Sequence, residues 1–146
     1  MPIMAIKGFF GEFRFLSNFW PAPIVVQRIQ FPTVEHAYQA LKSTNRADWE
    51  RIAKLPSPRD AKAAGYKLTV RPGWDKHRVF VMSQLLKLKF AIPELRKALL
   101  MTDDAYLEET NTWGDQFWGV CDGVGENHLG KLLMQVRSEI LLEHAS

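Results

Sequence analysis

Glu35, Gln39 and Lys42 stand at i, i+4 and i+7 in the run Thr33-Val34-Glu35-His36-Ala37-Tyr38-Gln39-Ala40-Leu41-Lys42. On a helix, at about 100° per residue, they fall within an arc of about 60° and share one face. A carboxyl group there can protonate a leaving nitrogen or activate water. A lysine held in a pocket can attack an aldehyde-like carbon and form a Schiff base. The same spacing also suits a solvated face carrying a spaced ion pair, and periodicity does not decide between them.

Two further stretches could carry chemistry. Trp113-Gly114-Asp115-Gln116-Phe117-Trp118-Gly119 reads either as an aromatic turn capped by Asp115 or as a ring-stacking wall with a polar group beside it. Gly123-Val124-Gly125-Glu126-Asn127-His128-Leu129-Gly130 is a glycine-rich loop entering a helix. It could receive an anion such as phosphate at free backbone N–H groups, or simply be a tight turn with Asn127 as N-cap. It is neither a Walker A loop nor a dinucleotide fingerprint, because no Gly-Lys-Ser/Thr follows and no βαβ unit surrounds it. The single cysteine, Cys121, excludes an internal disulfide, and histidines at 36, 77, 128 and 144 show no metal-binding spacing. Neither a metal nor a cofactor is expected.

The elements that must hold these groups follow from the punctuation of the chain. The 146 residues suit one domain, 1–146, and 47% hydrophobic with 24% charged residues excludes disorder. No apolar run reaches membrane-spanning length and the first residues lack a secretory pattern, so a cytoplasmic protein without a membrane partner is expected. The net charge of +3 is too small to argue for a nucleic-acid binder by itself. Residues 24–31 read as a strand or hairpin edge, and residues 68–70 and 106–110 as short strands. Helices are expected from Thr33 to Lys42, Ala47 to Leu55, Ser57 to Gly65, Trp74 to Phe90, Pro93 to Met101 and Asn127 to Leu142. Two apolar stripes on the fourth, Trp74/Val81/Leu85/Leu88 and Val79/Met82/Leu86/Phe90, suggest a central buried helix. The fold class is α+β, mostly helical, with a small N-terminal β region.

Taken in order, several motifs resemble the NADAR (YbiA-like) N-glycosidase family. They are Leu16-Ser17-Asn18-Phe19, the Glu35 to Lys42 run, Ser57-Pro58, Ala61 to Gly65, Arg71-Pro72-Gly73-Trp74, Asp115 to Gly119 and Gly125 to Arg137. The likeness covers about residues 9 to 140. It implies hydrolysis of the bond between ribose C1 and a nitrogen. The substrates implied are phosphorylated ribosylamino-pyrimidine intermediates of riboflavin synthesis, or ADP-ribosylated guanine, free or in DNA. It implies Glu35, Lys42 and Asp115 as catalytic and Trp74 and Trp118 as substrate-binding, with no protein partner; Gln39 on the shared face and Asn18 in the first motif are further candidates for substrate binding, and helix electrostatics adds Asn127 and Gly125 as the phosphate end. The chain departs from the family pattern at Ser43, where an aromatic residue is common, and at Tyr66, where arginine is common. The alternative is a non-catalytic NAD or ADP-ribose binding module, which would tolerate loss of Glu35 and Lys42.

Overall fold

Thr33, Asn45 and Ser57 each precede a helix-forming run, and in the computed structural model, which describes residues 3–145, each caps one. Their side-chain oxygens accept from the N–H groups of His36, Ala47 and Asp60 at 3.1, 2.9 and 3.1 Å. The elements in order are β1 (Ala5–Lys7), a 3-10 helix (Gly11–Leu16), β2 (Ile24–Val26), β3 (Ile29–Phe31), α1 (Val34–Ala40), α2 (Arg46–Ala53) and α3 (Pro58–Gly65). Then come α4 (Trp74–Lys89), α5 (Pro93–Leu100), β4 (Tyr106–Glu108), β5 (Thr110–Asn111), β6 (Val120–Cys121) and α6 (His128–Ala145). The α+β class read from the sequence is the class observed.

The chain forms two compact units. One comprises residues 18–89. Its β2–β3 hairpin turns at Gln27 and Arg28, with φ of 53° and 67°. Two successive left-handed residues make the tight turn that matches strand twist, here without the usual Asn-Gly. Helix α1 packs against α2, α3 and α4, and all of its residues are buried. That makes α1 the central helix of this unit and corrects the expectation for α4. Only the seam between the two α4 stripes is covered, at Trp74, Met82, Leu85, Leu86 and Lys89, while Phe80 and Leu88 face solvent. The strand expected at residues 68–70 is also absent. No neighbouring strand pairs with it, and the chain leaving it bonds instead from Arg71 N to Lys42 O at 2.6 Å.

The second unit joins the chain up to residue 17 with residues from 90 on. Here β1 pairs in parallel with β4, Ala5 opposite Tyr106, and β5 pairs in parallel with β6. Helix α6 covers β4 and packs on α5. Buried Arg137 anchors it, donating to Thr102 Oγ1 at 2.8 Å and Ala105 O at 2.9 Å. No helix among the described residues is long and apolar enough to cross a membrane.

Candidate active site

In the unit of residues 18–89 the face read from spacing is real, and it is not solvated. Glu35 is 8% exposed and Gln39 is buried beside it. Gln39 Nε2 donates to Glu35 Oε1 at 2.7 Å. Room for the Gln39 amide comes from Gly65 on α3, where a Cβ would land on Oε1 of Gln39. Asn18 joins the same neighbourhood through its backbone, whose oxygen accepts from Glu35 N at 3.1 Å, while its side-chain amide donates to Met82 Sδ at 3.5 Å. Two buried acceptors, Asn18 Oδ1 and Gln39 Oε1, have no hydrogen-bond partner among the described residues.

Lys42 lies just past the end of α1, not on it. The helix tightens as it closes: Leu41 N donates to Ala37 O at 3.0 Å, and Lys42 N to Gln39 O at 3.2 Å. This tightening still leaves Lys42 on the Glu35 side, because the Glu35 charge acts on it. Burial lowers the Lys42 pKa below its ordinary value. Glu35 opposes that shift, and the nearby charges of Arg78 and Lys62 add to it. Lys42 Nζ lies 5.6 Å from the Tyr38 ring and 5.8 Å from the Tyr66 ring. Tyr38 in turn packs on Trp74, ring centroids 5.3 Å apart. Trp74 is therefore largely enclosed by its neighbours, not open as a wall.

The turn carrying Lys42 is clamped at the next residue. Ser43 O accepts from Trp49 Nε1 and from the Arg71 guanidinium, both at 2.8 Å. Ser43 Oγ donates to Asp48 Oδ2 at 2.6 Å. Arg71 thus holds the backbone of the Lys42 turn. Sequence reasoning missed Ser43, Asp48, Trp49 and Arg71 as one assembly. The available signal was Ser43 itself, a small polar residue where the family pattern favours an aromatic one. His36, inside the motif, has a structural task. Its Nε2 donates to Leu55 O at 3.0 Å, its Nδ1 meets Thr33 Oγ1 at 2.8 Å, and burial lowers its pKa. It ties α1 to the connection between α2 and α3 as a neutral imidazole.

The remaining candidates lie in the other unit, and their polar groups are engaged locally. Asp115 Oδ1 accepts from Phe117 N and Trp118 N at 3.1 and 2.9 Å, which shapes the turn. Trp118 packs edge-on to Phe117, centroids 4.9 Å apart. Asn127 has φ of 53°, and its side chain does not cap α6. It accepts from Glu109 N at 3.0 Å and donates to Leu107 O at 2.9 Å. Gly125 is needed because a Cβ would strike the backbone oxygen of Gly119. The N–H groups of Glu126, Asn127, His128 and Leu129 all donate to carbonyls of residues 116–119. The expected phosphate cradle at this helix end is therefore filled by the chain's own carbonyls. Among the described residues no three His, Cys, Asp or Glu side chains converge as a metal site.

The family model described as the NADAR domain matches residues 8–141. An N-glycosidase of Nostoc punctiforme is 39% identical over 131 residues, 85% of this chain and 83% of the relative. The N-glycosidase YbiA of Escherichia coli is 37% identical over 138 residues, 92% of this chain and 84% of the relative. The NMR structure of E. coli YbiA is similar with a TM-score of 0.88 and 34% identity, covering 100% of this chain and 90% of that one. A riboflavin biosynthesis protein of Vibrio vulnificus is 38% identical over 135 residues, which span 90% of this chain and 36% of that protein.

Proposed function

The chain belongs to the NADAR domain family, and on that premise we propose that it is an N-glycosidase acting on phosphorylated ribosylamino-pyrimidines. The observation that carries the reading is a buried carboxylate, Glu35, coupled to a lysine whose pKa burial lowers. A solvated ion pair would have neither property. The names of the relatives agree with the activity, and the Vibrio relative agrees with the substrate class. The cations Lys62 and Arg78, close enough to Lys42 for their charges to act on it, suit a phosphorylated ligand.

In this reading the neutral Lys42 amine uses its lone pair to form a bond from Nζ to ribose C1. The bond from C1 to the substrate nitrogen breaks, and its electron pair stays on that nitrogen. Glu35 takes a proton from the now cationic Nζ and passes it to the departing nitrogen, so one group serves as base and acid. Opening of the sugar ring gives an iminium at C1. Water adds there, Nζ departs, and the products are the free amine and the sugar phosphate. Asn18 Oδ1 and Gln39 Oε1, buried acceptors without a partner, are the groups that ribose hydroxyls would satisfy.

The test is release of free base from a ribosylamino-pyrimidine phosphate and from ADP-ribosylated guanosine, by wild type and Lys42→Ala. Borohydride is added in parallel to trap a sugar on Lys42 for mass spectrometry. Wild type is expected to release base from the first substrate, and Lys42→Ala to fall by about 10³-fold or more. Release with no adduct on Lys42 would leave the glycosidase and remove the imine. No release, with ligand binding intact, would favour the binding module.

Gly65→Ala gives a second expectation. Alanine is the better helix former by about 1 kcal/mol, but its Cβ occupies the place of the Gln39 amide. Stability should change little, while kcat falls on the order of 10- to 100-fold as Gln39 leaves Glu35. Paired kcat and Tm measurements check this, and an unchanged kcat would show that Gln39 does not orient Glu35.

A further inference from the structure

Tyr66 closes α3 with a ring that folding leaves in solvent. The residue is 77% exposed, yet its ring centroid lies 5.8 Å from Lys42 Nζ. The other two rings of this cluster, Tyr38 and Trp74, are buried against each other. Nothing in the backbone asks for an aromatic residue here: φ is −68° and ψ is −18°, ordinary values for any side chain ending a helix. What sets this ring apart from other exposed side chains is its place: it keeps a face open to solvent beside Lys42 Nζ, where a ligand can cover it.

We propose that Tyr66 is the stacking platform for the heterocyclic leaving group, and so a specificity-determining residue of the site. The inference rests on the N-glycosidase reading and deepens it. If Nζ bonds to C1, the heterocycle, joined to C1 through one nitrogen, sits within a few ångströms of Nζ. The Tyr66 ring is at that range and has a face to give, whereas Trp74 is enclosed. A platform selects for planar rings without reading their hydrogen-bonding edge. Substrates with a pyrimidine or purine base are then favoured over ribosylamines that lack one.

The test uses binding as well as turnover. Affinities of a free aminopyrimidine and of ribose 5-phosphate are measured calorimetrically for wild type, Tyr66→Ala and Tyr66→Phe, beside kcat and KM on the ribosylamino-pyrimidine phosphate. Tyr66→Ala should bind the aminopyrimidine about 10-fold more weakly, with ribose 5-phosphate unchanged. Tyr66→Phe should stay within about twofold of wild type, since the ring and not the hydroxyl stacks. In turnover the loss should fall on KM. Equal aminopyrimidine affinity in Tyr66→Ala and wild type, equal loss of both ligands, or no binding of the base to wild type would each overturn the proposal. Hydrolysis by wild type with an unaltered Tyr66→Ala would sink the platform and keep the glycosidase. Selective loss of base binding in Tyr66→Ala, beside a wild type that binds the base and hydrolyses nothing, would do the reverse.

Discussion

Glu35→Gln should lower kcat by about 10²- to 10⁴-fold while leaving Tm within a few degrees. The substitution keeps the shape of the side chain and its neighbour Gln39, which donates to it at 2.7 Å, and removes only the charge and the exchangeable proton. Its second consequence separates proton transfer from nucleophilic attack. The Glu35 charge raises the Lys42 pKa against the effect of burial. Without that charge the Lys42 pKa falls further, and the neutral amine persists to lower pH. Borohydride trapping of ribose 5-phosphate, whose open form presents a free aldehyde and needs no leaving nitrogen, should therefore survive on Lys42 in Glu35→Gln, with its pH dependence displaced toward acid, although turnover is nearly lost. A Glu35→Gln enzyme with wild-type kcat would remove Glu35 from the mechanism. A trapping profile displaced toward alkali would contradict the electrostatic coupling.

Lys89→Met should flatten the pH dependence of stability. Lys89 ends α4 with 0% of its surface exposed, and burial pushes its pKa down to about 7 from the ordinary 10.5. Between these values the unfolded chain holds a proton that the folded chain does not, so folding stability rises with pH across this window. Below about pH 7 both states are protonated and the whole cost of the buried charge is present, on the order of 5 kcal/mol. Above about pH 10.5 neither state is charged and the cost is gone. Methionine fills a similar volume without a charge. Urea midpoints at pH 6, 8 and 10 should show the variant gaining most at pH 6, with the gap closing by pH 10. Curves that run parallel would mean that Lys89 does not change its protonation on folding. The slope is the quantity of interest, because any packing difference between lysine and methionine is the same at every pH.

How the site became legible differs from residue to residue. The shared face of Glu35 and Gln39 could be derived from spacing, since a helix imposes its period on any side chain. Lys42 belonged to the same arithmetic, although the helix stops at Ala40 and only its tightened last turn keeps the lysine on that side. Whether the face was wet or buried was not decidable locally. Glu35 and Gln39 are polar, and a helix with polar residues on one side ordinarily turns that side to water. Here α2, α3 and α4 surround α1, and the polar face is covered with the apolar one.

The same limit explains the misreadings. Residues 68–70 have strand-forming side chains, but a strand needs a partner edge, and the backbone there is directed to Lys42. Asn127 and Gly125 stand where a phosphate loop would need them, yet the N–H groups of that loop are consumed by carbonyls of residues 116–119. That pairing is invisible until the two segments meet. The starts of α1, α3 and α5 and the α+β class lay in the sequence by itself, because Thr33, Ser57, Pro58 and Pro93 act on their immediate neighbours, whereas the end of α1 and the role of Asn127 did not. The family lay there too, in the order of its motifs. What only the tertiary structure decided is which charges lose their water: Glu35 and Lys42 at the site, and Lys89 at the end of α4. Desolvation depends on every element packed around a group, and it is desolvation that lowers the pKa of Lys42 and of Lys89.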